Sequence, residues 1–560
     1  MAEHHPEPML IPIPPEFPVT WEDPGDEHLP LMRDRQHSPN PVTPLTASLH
    51  KKYFAAGSTK GFERAGQPLG WHVRRINTYY YVAIVPTIPP EQMEAAGAHA
   101  EATLKTLLGT FVDRWDNEWV PEIQGYHAIW DGFDLKGSSN SDLFEHMEWS
   151  LKTWERFWDI HMEVTIAYVV APSMFHDLYV DLFGGDLDLE AYKLLQGIDN
   201  TSLVAGRALW ALSQKAKADS EVAKLILETD ASQVMSALGN TDAGRALISE
   251  IDTFLEDYGK RSDTVIEMAD PSWLEEPKTA IELLKNYMGD SAEDPDIRWH
   301  ELVAERERLV TEAREKLASY PDPVKQQFEM LLPIGQQGHR IQEDHNWWLD
   351  QNGLHCVRRL FVEIGNRFAA AGVIADRSDI FYLTVEEIQA EAEAGITTDR
   401  KAKVSAEKAN MERWGGVAAP PWVGTDYGPA PNNPVGAAIG KFFGNPPRPP
   451  SEEHPDLLGG TPGSPGKIRG IARVIINLED AGKLSEGEIL VTATTSPPWT
   501  PLFATAGGIV TDTGGALSHC AIVAREYAIP AVVGTGMATA IIKDGQTIEV
   551  DGDTGDVRLL

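Results

Sequence analysis

The sequence predicts a multidomain protein in which a mainly α-helical substrate domain is followed by a C-terminal α/β domain. Three observations carry this expectation. Long proline-free stretches with helical periodicity occupy residues 46–412, prolines and glycines crowd 413–466, and after Lys467 short β-rich runs alternate with Gly and Asp turns. At 560 residues, with 42% hydrophobic content and 16 Trp, the chain has apolar surface enough for at least two cores.

In chain order, residues 1–45 are rich in Pro, His and acidic residues and read as an extended lead-in ending in SPNPVTPLT. The helical domain 46–412 contains long periodic segments at 91–119, 141–170 and 339–372, with a strand-like exception, INTYYYVAIVP, at 76–86. WGGVAAPPWVG, NPPRPPSEEHP and GGTPGSPG cannot sustain regular helix, so 413–466 reads as a linker or irregular arm. Residues 467–560 then form a compact α/β domain with strands expected in ARVII, EILVT, GGIVTD, IPAVVG and QTIEVDG.

Charge and cysteine content narrow the function classes. A formal net charge of −36 repels nucleic acid and anionic membrane surfaces alike. Cys356 and Cys520 are the only cysteines, which makes neither a disulfide framework nor a zinc cluster and fits a reducing cytoplasm. The N-terminus, MAEHHPEPMLIPIPPEF, lacks a basic region and is broken by prolines, so no export signal is expected, and no apolar run is long enough to span a bilayer.

Chemistry concentrates in TDTGGALSHCAIVARE, 511–526. Gly514 and Gly515 permit a tight turn, Ser518 is a favourable N-cap, and His519 falls in the first turn of the following helix. The positive end of the helix disfavours imidazolium and stabilises an anion, as a neutral nucleophile that accepts a phosphoryl group requires. A Gly-Gly turn before Ser-His is also what any capped helix would show.

The strings SPGKIRGIARVI, EILVTATTSPPWTPLFATAGGIVTDTGGALSHCAIVAREYAIPAVVGTG and DGQTIEVDGDTGDV, together spanning 464–557, resemble the phosphohistidine swivelling domain of phosphoenolpyruvate-utilising enzymes and dikinases. The resemblance implies that His519 takes a phosphoryl group from ATP and swings to a second site, with Thr513, Gly514, Gly515, Ser518 and Arg525 shaping the surrounding loop. Cys520, where relatives carry a small residue, reads as packing. NPVTPLT, YGKRS, PSWLEEP, EDHNWWLDQ and GNRFAAAGVIADRSDIFYLTVEEI are similar, more weakly, to the substrate domain of rifamycin phosphotransferase and phenylphosphate synthase, and LSH at 517–519 agrees with those two families. The sequence shows neither a Gly-rich phosphate loop nor a recognisable ATP-grasp domain before the helical region, and no pyruvate barrel after Val557. The resemblance therefore implies a two-component aryl dikinase. A separate ATP-grasp subunit is expected to hold ATP and Mg2+, a small phenolic compound to be the acceptor, and aryl phosphate, AMP and phosphate to be the products. Phosphorylation of a rifamycin-like antibiotic is one alternative, and a phosphocarrier or regulatory module without small-molecule chemistry is another.

For the acceptor, a helix beginning near His339 with 100° per residue places His345, Trp348, Asn352, His355 and Arg359 on one stripe, suited to an aromatic alcohol and a moving phosphoryl group. A second helix aligns Met147, Trp154, Phe157, Trp158, His161 and Thr165; this reads as helix core first and as a wall of a phenol pocket, with His161 as acid or base, second. Arg261 in YGKRS and Arg74 beside Arg75 are candidate phosphate clamps, although KRSD departs from the HR-plus-acid pattern of the rifamycin-type enzymes. No dedicated protein metal cage is evident.

Overall fold

The computed structural model describes residues 9–185, 188–289, 294–428, 433–444 and 447–560. The first eight residues of the lead-in and parts of the Pro/Gly-rich stretch, at 429–432 and 445–446, lie outside these. The chain forms two compact units, one of Met1–Ala167, Thr264–Asp270 and Trp348–Pro431, the other of Tyr168–Asp263, Pro271–Trp347 and Asn432–Leu560.

The first unit contains an antiparallel sheet built from β1 (Met9–Leu10), β2 (Pro30–Arg33), β3 (Leu69–Ile76), β4 (Tyr79–Pro86) and β5 (Trp422–Asp426), in the order β1-β5-β2-β4-β3. β3 and β4 are joined by Asn77 and Thr78, both at positive φ, a two-residue connection whose twist matches that of the paired strands. Only β4 is legible in the sequence. Its partner LGWHVRRI carries charges and no run of apolar residues, as suits an edge strand. Phe17 from the lead-in and Trp414 and Val423 near the Pro/Gly-rich stretch pack with Leu31, Tyr79 and Tyr81 into one small core. Segments distant in sequence, and short of local periodicity, are thus drawn into regular structure by sheet pairing.

Each long helical segment is found, but two of the three are divided. Pro90–Arg114 and Val120–Gly132 are separated by a π-helical turn, Trp115–Trp119, and Asp322–His345 and Asn352–Ala370 by another, Asn346–Gln351. The third runs unbroken as Asn140–Phe183, with Pro172 inside it. A π turn accommodates an extra residue and rotates everything after it relative to an ideal helix. No helix among the described residues is long and apolar enough to cross a membrane.

The second unit contains the C-terminal sheet: β6 (Leu457–Gly459), β7 (Thr461–Ser464), β8 (Lys467–Val474), β9 (Ile489–Thr492), β10 (Gly508–Thr511), β11 (Ala531–Val533), β12 (Thr547–Asp551) and β13 (Asp556–Leu559). Their order is β6-β13-β12-β8-β9-β10-β11-β7, with β8, β9, β10 and β11 mutually parallel. β6 and β7 end opposite edges yet are separated by Gly460 alone, so the sheet must curl until its edges nearly meet. Alternation along the strands splits the core. Ile489, Val491, Val510 and Val532 face one cluster with Ile548 and Val550, while Leu490, Ile509, Ala531 and Val533 face another shared with Leu209, Leu212, Leu284 and Tyr287 of the preceding helices. The expected α/β domain is present, and its second core is held in common with helical segments of the same unit. Replacing the fully buried Ile509 with Ala is expected to lower stability by about 2–5 kcal/mol, read as a fall in urea midpoint with an unchanged slope.

Candidate active site around His519

The loop leaving β10 is braced at almost every peptide. Thr513 N–H and Oγ1 both donate to the Ala493 carbonyl, Gly515 N–H to Phe442 O at 2.9 Å, and Leu517 N–H to Lys441 O at 3.0 Å. The last two acceptors lie at the end of helix Pro434–Phe443, inside the segment expected to be a linker. Gly514 sits at φ +98°, a conformation favouring glycine, and a Cβ on Gly515 would run into the Lys441 carbonyl and the Gly444 backbone. Ser518 caps helix His519–Tyr527, its Oγ accepting from Ala521 N–H.

Arg525 completes the brace. It is buried, donates to Ala516 O at 2.8 Å and Gly463 O at 2.7 Å, and lies 4.5 Å over the Tyr192 ring. It fixes the loop through the Ala516 carbonyl, with the Glu526 carboxyl its neighbour in charge. Cys520 is buried, which pushes its thiol up to about 12, in keeping with packing and not redox chemistry.

His519 itself is almost enclosed, with a tenth of its side chain exposed. Its Nδ1 lies 3.0 Å from Glu343 Oε1, near the end of helix Asp322–His345. The second carboxylate oxygen accepts from Ser202 Oγ at 2.8 Å. Burial alone would push the Glu343 carboxyl up; the facing His519 and the bonds from His519 and Ser202 outweigh it and hold the carboxyl below its ordinary value. A carboxylate can only accept, so Nδ1 carries the proton. In the neutral ring Nε2 is then the lone-pair nitrogen; it is buried and, among the described residues, without a hydrogen-bond partner. Phe503 presents its ring edge-on at 6.1 Å. Around this pair, Gln342 Nε2 donates to Leu517 O at 2.9 Å, and Thr201 N–H to Asp344, whose carboxyl burial raises to about 6. Glu343 was within the EDHNWWLDQ string but had no signal of its own in the sequence, because its partner lies 176 residues away.

Arg261 belongs to the same unit. It is buried, donates to the carbonyls of Tyr258 and Thr201, and stacks 4.2 Å over Trp347. His345 Nδ1 lies 3.1 Å from Ile341 O and its Nε2 3.3 Å from the Tyr168 hydroxyl.

The stripe expected to join His345 to Trp348, Asn352, His355 and Arg359 is not one face. The π turn Asn346–Gln351 intervenes and resets the phase, and Trp348 onward belongs to the first unit. There the Trp348 carbonyl lies 3.0 Å from His127 Nε2, His355 is buried in helix Asn352–Ala370, and Arg359 is partly exposed beside Asp131. Arg74 is no open clamp either: Asp26 takes its guanidinium in two bonds of 2.7 and 2.8 Å, and Arg75 is held by Val42 O and Glu407. Trp158 is buried against Phe54 at 4.4 Å and His161 at 4.7 Å, its indole N–H without a partner among the described residues, while His161 Nε2 lies 3.4 Å from Asp350. The same aromatic group contains His50, missed in the sequence, 2.8 Å from the Tyr80 hydroxyl and kept neutral by burial, which lowers its pKa to about 3.

On the His519 helix, Glu526 accepts from Gly197 N–H yet burial pushes its carboxyl up to about 7. The folded state then binds more protons than the unfolded chain between about pH 4.5 and 7, so stability falls as pH rises through that window. Glu526→Gln is expected to remove the fall, worth on the order of 3 kcal/mol, so that urea unfolding at pH 5 and pH 8 agrees more closely than in the unaltered protein.

With this geometry in place, residues 484–555 match the mobile domain of PEP-utilising enzymes, and 161–343 match the fourth domain of rifampicin phosphotransferase. Chondramide synthase of Chondromyces crocatus is 36% identical over 98% of this chain and 14% of its own length. An uncharacterized phosphotransferase of Bacillus subtilis is 29% identical over 71% of the chain and 47% of its own length. Rifampicin phosphotransferase of Bacillus cereus is 30% identical over 64% of the chain and 40% of its own length. The chain thus spans less than half the length of each of these relatives. His519 falls inside the first matched domain, and Glu343 is the last residue of the second.

Proposed function

We propose, from the matches of residues 484–555 to the mobile domain of PEP-utilising enzymes and of residues 161–343 to the fourth domain of rifampicin phosphotransferase, that the chain is the phosphohistidine component of an ATP-dependent dikinase-type phosphotransferase. The observation that carries the reading is the His519–Glu343 contact, which puts the proton on Nδ1 and leaves Nε2 as a neutral nucleophile.

In the first half-reaction the Nε2 lone pair bonds to the β-phosphorus as its bond to the oxygen of the α-phosphate breaks and AMP leaves; water then bonds to the γ-phosphorus as the β–γ bridging bond breaks, so that ATP and one water yield phosphohistidine, AMP and phosphate. The ring then bears a positive charge, which the Glu343 carboxylate faces at Nδ1. In the second, the acceptor oxygen bonds to phosphorus, the P–Nε2 pair returns to the ring, and the hydroxyl proton passes to a base. ATP and its Mg2+ are assigned to an ATP-grasp partner subunit. Beside His519, the two oxygens of Glu343 are already engaged by His519 and Ser202, which fits metal binding elsewhere.

A small phenol is the acceptor in this proposal. Its hydroxyl pKa of about 10 is within easier reach of a histidine base than that of an alkyl alcohol. The buried aromatic group of Phe54, Trp154 and Trp158 beside the His161–Asp350 pair supports that choice, with His161 as the base. The fourth-domain match favours a second reading, a rifamycin-like acceptor.

Incubation with an ATP-grasp partner, β-labelled ATP and a panel of phenols and rifamycins tests both. Acid-labile label is expected at His519 and then on one acceptor class, none in His519→Ala, and at least about 100-fold slower labelling in Glu343→Gln. Label that persists in His519→Ala would sink the proposal.

A further inference from the structure

Glu343 is followed in helix Asp322–His345 by a second buried carboxylate, Asp344, 8% exposed. Adjacent residues of a helix point about 100° apart, yet both side chains reach the start of helix Thr201–Lys217. Glu343 Oε2 accepts from Ser202 Oγ at 2.8 Å, and Asp344 Oδ1 accepts from Thr201 N–H at 2.9 Å. The next two N–H groups of that helix, on Ser202 and Leu203, go to the Asn200 side chain at 3.1 and 3.0 Å. Asn200 caps the helix from its own segment, whereas Asp344 ties the first turn to the helix that carries Glu343.

That tie decides where the Ser202 hydroxyl lies. With Thr201 held by residue 344, Ser202, one position on, is set opposite residue 343, one position back. A longer bond of 3.4 Å from Thr201 Oγ1 to the Glu343 carbonyl runs the same way. Burial pushes the Asp344 carboxyl up to about 6 against the pull of Thr201 and of Arg340, 3.6 Å from Oδ2, so a carboxylate persists here although its burial is unfavourable. His519, His345, Asp344, Arg261 and Glu526 interact electrostatically with Glu343, and among the described residues only His519 and Ser202 bond its side chain.

We propose that Asp344 is a positioning residue for the carrier: by holding Thr201 N–H it seats the Ser202 hydroxyl on Glu343 and thereby keeps the His519 proton on Nδ1. This rests on the phosphocarrier reading and deepens it. With the Ser202 bond lost, burial gains on the Glu343 carboxyl and the Glu343–His519 pair takes up a proton at higher pH. One proton then lies between Glu343 and Nδ1 and another sits on Nε2, so the lone pair that attacks phosphorus is gone.

The test follows the full chain by two readouts: labelling of His519 by phosphoramidate from about pH 5 to 9, and the 15N shifts of the His519 ring, identified by their loss in His519→Ala. The unaltered protein is expected to show Nδ1 protonated and Nε2 unprotonated at about pH 8. In Asp344→Ala the pH at which Nε2 gains its proton and labelling falls should rise by at least about one unit, on the order of 10-fold in labelling rate within that window. Thr201→Pro removes the bonded N–H at a helix position that accepts proline, and should give the same shift. Asp344→Asn, whose amide oxygen still accepts from Thr201 N–H, should stay closer to the unaltered protein than to Asp344→Ala. An Asp344→Ala or Thr201→Pro protein that folds and keeps the unaltered profile overturns the assignment, as does an Asp344→Asn protein shifted as far as Asp344→Ala. Absence of His519-dependent label in every protein overturns the carrier reading instead, while the ring shifts still decide the part played by Asp344.

Discussion

The site depends on one contact, the Nδ1–H of His519 against the Glu343 carboxylate at 3.0 Å. An imidazole has two nitrogens and one proton in its neutral form, and whichever nitrogen is spent decides which can react. By accepting at Nδ1, an ionised carboxylate settles the tautomer and aims Nε2 away. The carboxylate can remain ionised in a buried place only because it faces His519 and accepts from Ser202. The ionised state of the carboxylate therefore depends on His519 and Ser202.

The rest of the second unit holds that pair in register. Gly515 and Leu517 bond to the end of helix Pro434–Phe443, Arg525 pins Ala516, and Gln342 pins Leu517 from the helix that carries Glu343. Most of these bonds end on backbone carbonyls, so the loop is set by main-chain geometry and tolerates little displacement. A carrier that leaves for another site must break not only the Gln342 and Glu343 contacts but also the bonds of Glu526 to Gly197 and of Lys441 to Ser173 and Asp177, and the apolar core shared with the preceding helices, whereas the bonds of the loop to Lys441 O, Phe442 O and Arg525 lie within the C-terminal segment.

Legibility in the sequence followed the range of the forces involved. The Gly-Gly turn, the Ser518 cap and the helix after it are local, and the structure has them where the motif put them. Five strands of the C-terminal sheet, β8 to β12, were equally readable because alternation and turn residues recur every few positions, whereas β6 and β7 lie in the stretch expected to be a linker and β13 had not been singled out. Helical phase was not transferable through Asn346–Gln351: one π turn separated His345 from Trp348, His355 and Arg359, although each segment by itself was correctly read as helix. Arg74 and Arg261 looked alike as candidate clamps. Asp26 spends the first, while the second meets only carbonyls and an indole, a distinction set by which residues fold against them.

By itself, then, the sequence determined the helical and α/β character of the two regions, the capped turn and the place of His519 at the start of its helix, all of which follow from propensities and spacings within about twenty residues. Only the tertiary structure decided what faces that histidine. Glu343 and the Ser202 that holds it come from segments separated from each other and from His519, and no periodicity encodes their contacts. Those contacts arise when segments lacking any local relation are buried together, where the cost of an unpaired charge selects the partners that a linear reading cannot see.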